Sequence, residues 1–168
     1  IVGSIIVAGI LMLSIFRVNN SSTENLYRGS GNLVAQTNLA TVVMILETDL
    51  RRVGYCADWQ QIPVPTEAIL YADSSSIRYL TDVDNNSIVD TMFYYIDYQT
   101  DIPETPNPRD RYLYRVINSE APVGVNLGIT KFNLEFFNAL GTKLTFPIAD
   151  PREIYTMQID LTVEDVAA

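Results

Sequence analysis

The sequence predicts an α+β fold in which a long N-terminal helix packs on an antiparallel β-sheet. Three observations support this prediction. Residues Ile1–Phe16 are apolar or small and carry no charge. Residues Leu33–Gly54 repeat apolar side chains at steps of three and four, as one face of a helix does. From Glu67 onward, apolar and polar residues alternate and β-branched and aromatic residues are frequent, which is typical of strands.

The run Ile1–Phe16 is predicted to be a helix that is apolar on every face, and such a helix cannot be half exposed to water. At about 1.5 Å per residue it would be roughly 24 Å long, so a few more apolar residues upstream would complete a membrane span. Three interpretations remain open: an uncleaved anchor, a signal-peptide core, or a helix that moves from membrane into protein. Residues 14–17 (Ser-Ile-Phe-Arg) form a poor cleavage site for a signal peptide.

Small residues within this run either allow close helix–helix contact or are merely tolerated in a lipid-facing helix. They are Gly3, Ser4, Gly9 and Ser14. Under the first interpretation, the positions expected to carry assembly are Gly3, Gly9, Leu11, Leu13 and Phe16.

A polar segment, Arg17–Asn32, separates the apolar run from the amphipathic helix. Because Gly29 and Gly31 each weaken a helix by about 1 kcal/mol, this segment is expected to be a helix break or a stretch able to melt and extend. We therefore divide the chain into an anchor with linker, 1–32, and a globular domain, 33–168. The helix is expected to end at Gly54 and to face the sheet through Leu39, Val43, Leu46, Leu50 and Val53.

Seven strands separated by short turns predict an antiparallel meander. They are expected at 68–72, 76–83, 90–98, 111–117, 129–137, 142–146 and 153–163. The segment Asp101–Asp110 contains three prolines and many polar residues, so it is predicted to be an exposed loop.

Composition excludes several classes of function. The formal net charge is -9, whereas nucleic-acid binding requires clustered positive charge. The chain has no His and therefore no Ser-His-Asp arrangement. Cys56 is the single cysteine, so neither an intrachain disulfide nor a multi-cysteine zinc site can form. Since no spacing positions a pair of carboxylates for acid–base catalysis, the sequence predicts no catalytic residues and no enzyme.

An acidic run offers one candidate metal site, whose side-chain ligands would be Asp82, Asp84, Asn86 and Asp90. Oxygen-bearing residues at alternate positions, together with the Ile88 carbonyl, could serve Ca²⁺, which takes six to eight oxygens. Ser87 stands where the sharp turn of an EF-hand has Gly, and Phe93 stands where it has Glu. The alternative is a hairpin turn, in which Asp and Asn are common without any metal.

Three motifs together resemble the type IV pilin and pseudopilin superfamily, most closely the prepilin-type minor pilins of the W/J kind. The first is the helix end LETDLRRVGY at 46–55, and the second is the acidic run followed by Tyr94-Tyr95-Ile96-Asp97. The third is Leu113-Tyr114-Arg115. If the resemblance holds, Ile1 lies several residues into the mature helix.

The resemblance implies a structural subunit that polymerises through its apolar helix and has no cofactor other than the calcium considered above. Its partners would be other copies of itself or related pilins in a helical filament, and the inner membrane before assembly. Its location would be the cell surface. The alternative is a membrane-anchored extracytoplasmic binding module, whose receptor surface would be the aromatic strands, with Tyr94, Tyr95, Tyr112 and Tyr114, or the loop Asp101–Asp110.

Overall fold

A computed structural model describes residues 28–62, 64–98, 102 and 105–164. One helix, α1 (Arg28–Leu50), precedes a six-stranded sheet in which every neighbouring pair is antiparallel and the strands follow chain order. This order confirms the predicted meander. The strands are β1 (Ile69–Asp73), β2 (Ser76–Thr81), β3 (Asp90–Ile96), β4 (Arg111–Ile117), β5 (Val123–Phe137) and β6 (Thr156–Val163).

The predicted fold class is wrong. The described chain is mostly sheet with a single helix, and it is not a long helix packed on a sheet. Among the α1 residues whose burial is described, 33–50, only Val42, Leu46 and Leu50 are buried, all in the C-terminal half of the helix. The physical reason is that the curled sheet supplies most of the buried core residues itself, including its large aromatic side chains, so that the described part of α1 adds buried residues only from its C-terminal half. The largest of these fully buried side chains are Tyr79, Tyr94, Phe132 and Phe136.

The sheet curls strongly enough to bring its first hairpin against β5. The Leu134 amide of β5 donates to the Ser74 carbonyl in the β1–β2 turn at 2.7 Å. The Tyr98 hydroxyl, just after β3, donates to the Phe132 carbonyl at 2.7 Å. Register shifts within β1, β4 and β5 accompany this curvature, as expected of bulges, which bend a strand and increase its twist.

Two boundary predictions also need correction. Residues 142–146, predicted as a strand, contribute only an isolated bridge between Lys143 and Phe137. Of the two alternatives given for Arg17–Asn32, the helix break is wrong at Gly29 and Gly31, which lie in the first turn of α1, whereas the ability of this segment to melt and extend stays a prediction. The run Ile1–Phe16, with the assembly positions Gly3, Gly9, Leu11, Leu13 and Phe16, lies outside the described residues.

The helix ends at Leu50 rather than at Gly54, and a tight turn follows it. Gly54 has a φ of +74°, a backbone conformation that favours glycine, and its amide donates to the Leu80 carbonyl of β2 at 2.9 Å. Of the five predicted packing residues, Leu46 and Leu50 are buried, and Leu39, Val43 and Val53 pack partly buried against the core. The buried Val42 was not predicted.

The prediction that Asp101–Asp110 is an exposed loop is wrong at three described positions, because Ile102, Asn107 and Asp110 are buried. The Asn107 side chain donates to Glu164, just after β6, at 3.2 Å. Burial raises the pKa of the Asp110 carboxyl, and the charge of Glu164 raises it further. The described part of this segment, residues 102 and 105–110, therefore contributes buried side chains to the domain and contacts the residue that follows β6.

Candidate functional site

The junction between α1 and the sheet brings together one residue from each of the three motifs that carried the resemblance. The Asp49 carboxylate, in the last turn of α1, accepts a hydrogen bond from the Tyr94 hydroxyl of β3 at 2.5 Å. The same Oδ2 atom accepts from Nε of Arg115 in β4 at 2.7 Å. Each of the three motifs thus supplies one member of a single cluster, which joins the helix to two strands.

The electrostatics of this cluster favour a permanent structural role. Burial raises the pKa of the Tyr94 hydroxyl, and its hydrogen bond to Asp49 raises it further, so the hydroxyl stays a neutral donor at physiological pH. The Asp49 and Arg115 side chains are 15% and 28% exposed, so water screens the pair only partly. Charge-assisted hydrogen bonds in such surroundings are stronger than those between neutral groups.

This role of Asp49 was not predicted, because the residue lies off the apolar stripe of the helix and its partners lie far away in sequence. One signal was available. A carboxylate in the last turn of a helix is disfavoured by the helix dipole, so it suggests a compensating cation elsewhere in the fold. Arg115 is that cation.

A second group of contacts links the turn after α1 to the acidic run. The Arg52 guanidinium donates to the Val83 carbonyl at 2.7 Å and also to the Asp82 carbonyl. The Asp82 amide donates to the Tyr55 carbonyl at 2.8 Å. The end of the helix and the acidic turn therefore form one connected corner of the domain.

Asp82 organises this corner from a fully buried position. Its carboxylate accepts amide hydrogen bonds from Ala57 at 3.1 Å, Asn86 at 3.1 Å and Ser87 at 3.0 Å. Burial acts to raise the pKa of the Asp82 carboxyl, but these amide donors outweigh it and hold the pKa below its ordinary value. The charged form of Asp82 is thus built into the fold.

The predicted metal ligands do come together, since carboxylate oxygens of Asp82, Asp84 and Asp90 lie within 4.8 Å of one another. These oxygens already accept hydrogen bonds. Asp84 accepts from the amide and side chain of Asn86, and Asp90 accepts from the Val83 amide and the Asn118 side chain. The fourth predicted ligand, Asn86, accepts from the Ile88 amide through its side-chain oxygen. A cation would have to compete with these donors, so the arrangement favours the hairpin-turn interpretation, and calcium binding stays a prediction.

We expect Asp82→Asn to destabilise the domain at neutral pH, because an amide offers one acceptor oxygen where the carboxylate offers two. The folded pKa of Asp82 is depressed, so its contribution is present above its unfolded pKa and is lost as pH falls through its folded pKa. Urea unfolding should show a large difference between variant and wild type at about pH 7 and a smaller one at about pH 3, which lies below the ordinary pKa of Asp. The control is Asp84→Asn, at an exposed position in the same turn. An equal loss at both pH values would contradict the role given to the charge.

One side of α1 has the opposite character, since several of its apolar side chains, from Leu33 to Ile45, are exposed. Leu33 is 65% exposed and Met44 is 63% exposed, and Val34 and Ile45 are also exposed. The window Leu33–Leu50 has a mean hydropathy of 1.2 and is the one described helix long and apolar enough to cross a membrane by length and composition. Such a helix is compatible with a membrane anchor or a signal sequence, and core helices of soluble proteins meet the same criterion.

Three threonines on α1 form hydrogen bonds within the helix through their side-chain hydroxyl groups. The hydroxyls of Thr37, Thr41 and Thr48 donate to the carbonyls four residues earlier, at 2.8, 2.9 and 2.7 Å. Such bonds let a threonine lie in an apolar environment without a water partner. The exposed side of α1 can therefore be covered by lipid or by another apolar surface without leaving these hydroxyls unpaired.

Comparisons of this chain with protein-family models, with curated proteins and with solved structures find no match.

Proposed function

We propose that this chain is a structural subunit of a type IV pilus-like or pseudopilus filament, which assembles through its apolar N-terminal residues. The work assigned to it is polymerisation rather than catalysis. Before assembly the same apolar residues would hold it in the inner membrane, and after assembly the sheet would form the outer surface at the cell exterior.

The observation that carries the proposal is the uncovered apolar side of α1. Leu33, Val34, Met44 and Ile45 are exposed, and the sequence towards the N-terminus leads to the uncharged run Ile1–Phe16. Exposed apolar surface of this kind marks a site of interaction with protein or membrane. The internally bonded threonines support the same proposal, because they prepare α1 for an environment without water.

The proposal can be tested with a cysteine at Met44 in the full-length chain. Because the native Cys56 is buried, wild type serves as the background that should not cross-link. We expect Met44→Cys to form disulfide-linked dimers when cells that assemble surface filaments are treated with a mild oxidant. The measurement is non-reducing electrophoresis of the filament fraction.

A matched control places the cysteine at Leu140, which is 90% exposed at the tip of the turn after β5. The yield of disulfide-linked dimers from Leu140→Cys measures cross-linking by random collision between chains. Equal cross-linking at the two positions, or none at Met44→Cys in assembled material, would count against packing through α1.

The second candidate function is a membrane-anchored extracytoplasmic binding module, and the exposed apolar side of α1, which lipid could cover, favours it. In that case, Met44→Cys would stay monomeric on oxidation and would react with a lipid-soluble thiol reagent. Oxidation of Met44→Cys, followed by reaction with the lipid-soluble thiol reagent, thus separates the two candidate functions.

A further inference from the structure

The outer face of the sheet carries a row of aromatic side chains on β3 and β4. Tyr95 of β3 is the direct cross-strand partner of Tyr114 in β4. Their ring centroids are 4.9 Å apart and the ring planes differ by 18°. Phe93 stacks on the other side of Tyr95, and Tyr112 lies beside Tyr114 at 5.8 Å.

This row is held in place from both ends. The Arg78 guanidinium lies over the Phe93 ring, 4.5 Å from its centroid. At the other end Gly124 of β5 faces the tyrosines, and a Cβ atom there would lie 2.9 Å from Cε1 of Tyr114. The absence of a side chain at Gly124 therefore leaves the space that the Tyr114 ring occupies. Because the stacked faces cover one another, the row offers little free ring surface on which a ligand could stack.

We propose that Tyr95 and Tyr114 are a site of oxidative dityrosine formation, which joins β3 to β4 by a covalent bond. The oxidant is a peroxide acting through a peroxidase. Each phenol loses one electron and one proton, and the two tyrosyl radicals couple through a carbon–carbon bond between ring carbons ortho to the hydroxyls. In each ring the ortho hydrogen then moves to the oxygen, by exchange with water, and restores the phenol, so one hydrogen peroxide removes two hydrogen atoms in total and yields one dityrosine and two waters.

The fold gives this pair an advantage over other tyrosines. Among the described residues, the stacked or tilted ring pairs made by two tyrosines are Tyr95–Tyr114 and Tyr112–Tyr114. Residues directly opposite in an antiparallel pair have Cα atoms only about 4.5–5.5 Å apart, whereas Tyr112 and Tyr114 are successive residues on one face of one strand. The chain has a single cysteine, so a dityrosine would supply the covalent cross-link between strands that a disulfide cannot.

The test treats the purified full-length chain, in detergent, with peroxidase and hydrogen peroxide. We expect dityrosine fluorescence in the monomer band and a product lighter by two hydrogen atoms. Trypsin should then release peptide 79–109 joined to peptide 112–115. Tyr95→Phe and Tyr114→Phe should each abolish this joined peptide, while Tyr112→Phe and the exposed-site control Tyr155→Phe should keep it.

Three results would overturn the proposal. They are a joined peptide that persists in Tyr95→Phe, fluorescence found only in cross-linked dimers, and an equal yield from the chain unfolded in urea. Because Tyr→Phe keeps the ring, loss of the cross-link in these variants is separable from loss of the fold by comparing their unfolding curves with that of wild type.

Discussion

Leu46→Asp is expected to unfold the domain. Leu46 is 3% exposed within the core between α1 and the sheet, so the change removes a buried apolar side chain and buries an unpaired carboxylate. Losing the leucine alone costs about 2–5 kcal/mol, and the unpaired charge adds to that cost. Circular dichroism and urea unfolding should show a chain that is largely unfolded in buffer.

The matched control is Met44→Asp, two residues away on the exposed side of the same helix. We expect its unfolding curve to stay close to that of wild type. Its assembly into filaments should nevertheless fail, because the carboxylate would have to enter an apolar contact. If Leu46→Asp is as stable to urea as Met44→Asp, the stability of the domain does not depend on the contact between α1 and the sheet.

Arg115→Met should destabilise the domain by about 2 kcal/mol, less than a fully buried pair would lose because water still reaches both side chains. The substitution keeps most of the apolar stem but leaves Asp49 with Tyr94 as its one remaining partner in the cluster. The measurement is the urea midpoint and slope of the purified chain.

A double-mutant cycle then isolates the contact. Asp49→Asn and Arg115→Met, alone and combined, should be non-additive by about 1 kcal/mol, since residues in one hydrogen-bond network couple. Additive losses would mean that the two side chains stabilise the domain independently, which the shared Oδ2 atom argues against.

The strands could be predicted because alternation depends on local sequence. Six of the seven predicted segments overlap an observed strand. The seventh, 142–146, alternates equally well, but its neighbours supply only one bridge to Phe137. Alternation shows which residues favour an extended backbone, whereas pairing depends on what the rest of the chain brings alongside.

The fold class could not be predicted because curvature is a property of the whole sheet. Nothing in the spacing of apolar residues reveals that the β1–β2 turn reaches Leu134. The whole length of the helix was therefore expected to cover the sheet, whereas residues of the curled sheet supply most of the core themselves. The helix stripe was found, apart from Val42, because Leu46 and Leu50 follow helical spacing.

The chemistry of the junction was harder to predict than its position. Asp82 was considered as a calcium ligand because of its neighbours in sequence, yet its partners include Ala57, which lies 25 residues away. The cluster of Asp49, Tyr94 and Arg115 likewise joins three separate segments. Charged side chains read one segment at a time look solvated, and only the tertiary structure shows which of them pair.

Electron microscopy of surface material sheared from cells that naturally make this chain, with mass spectrometry of the filaments, tests the central proposal most directly. The account predicts helical filaments in which this chain is a stoichiometric component, and their loss when Met44 is replaced by Asp. Filaments that lack the chain, or cells in which it stays entirely in the membrane fraction, would contradict the proposal and favour a membrane-anchored binding module.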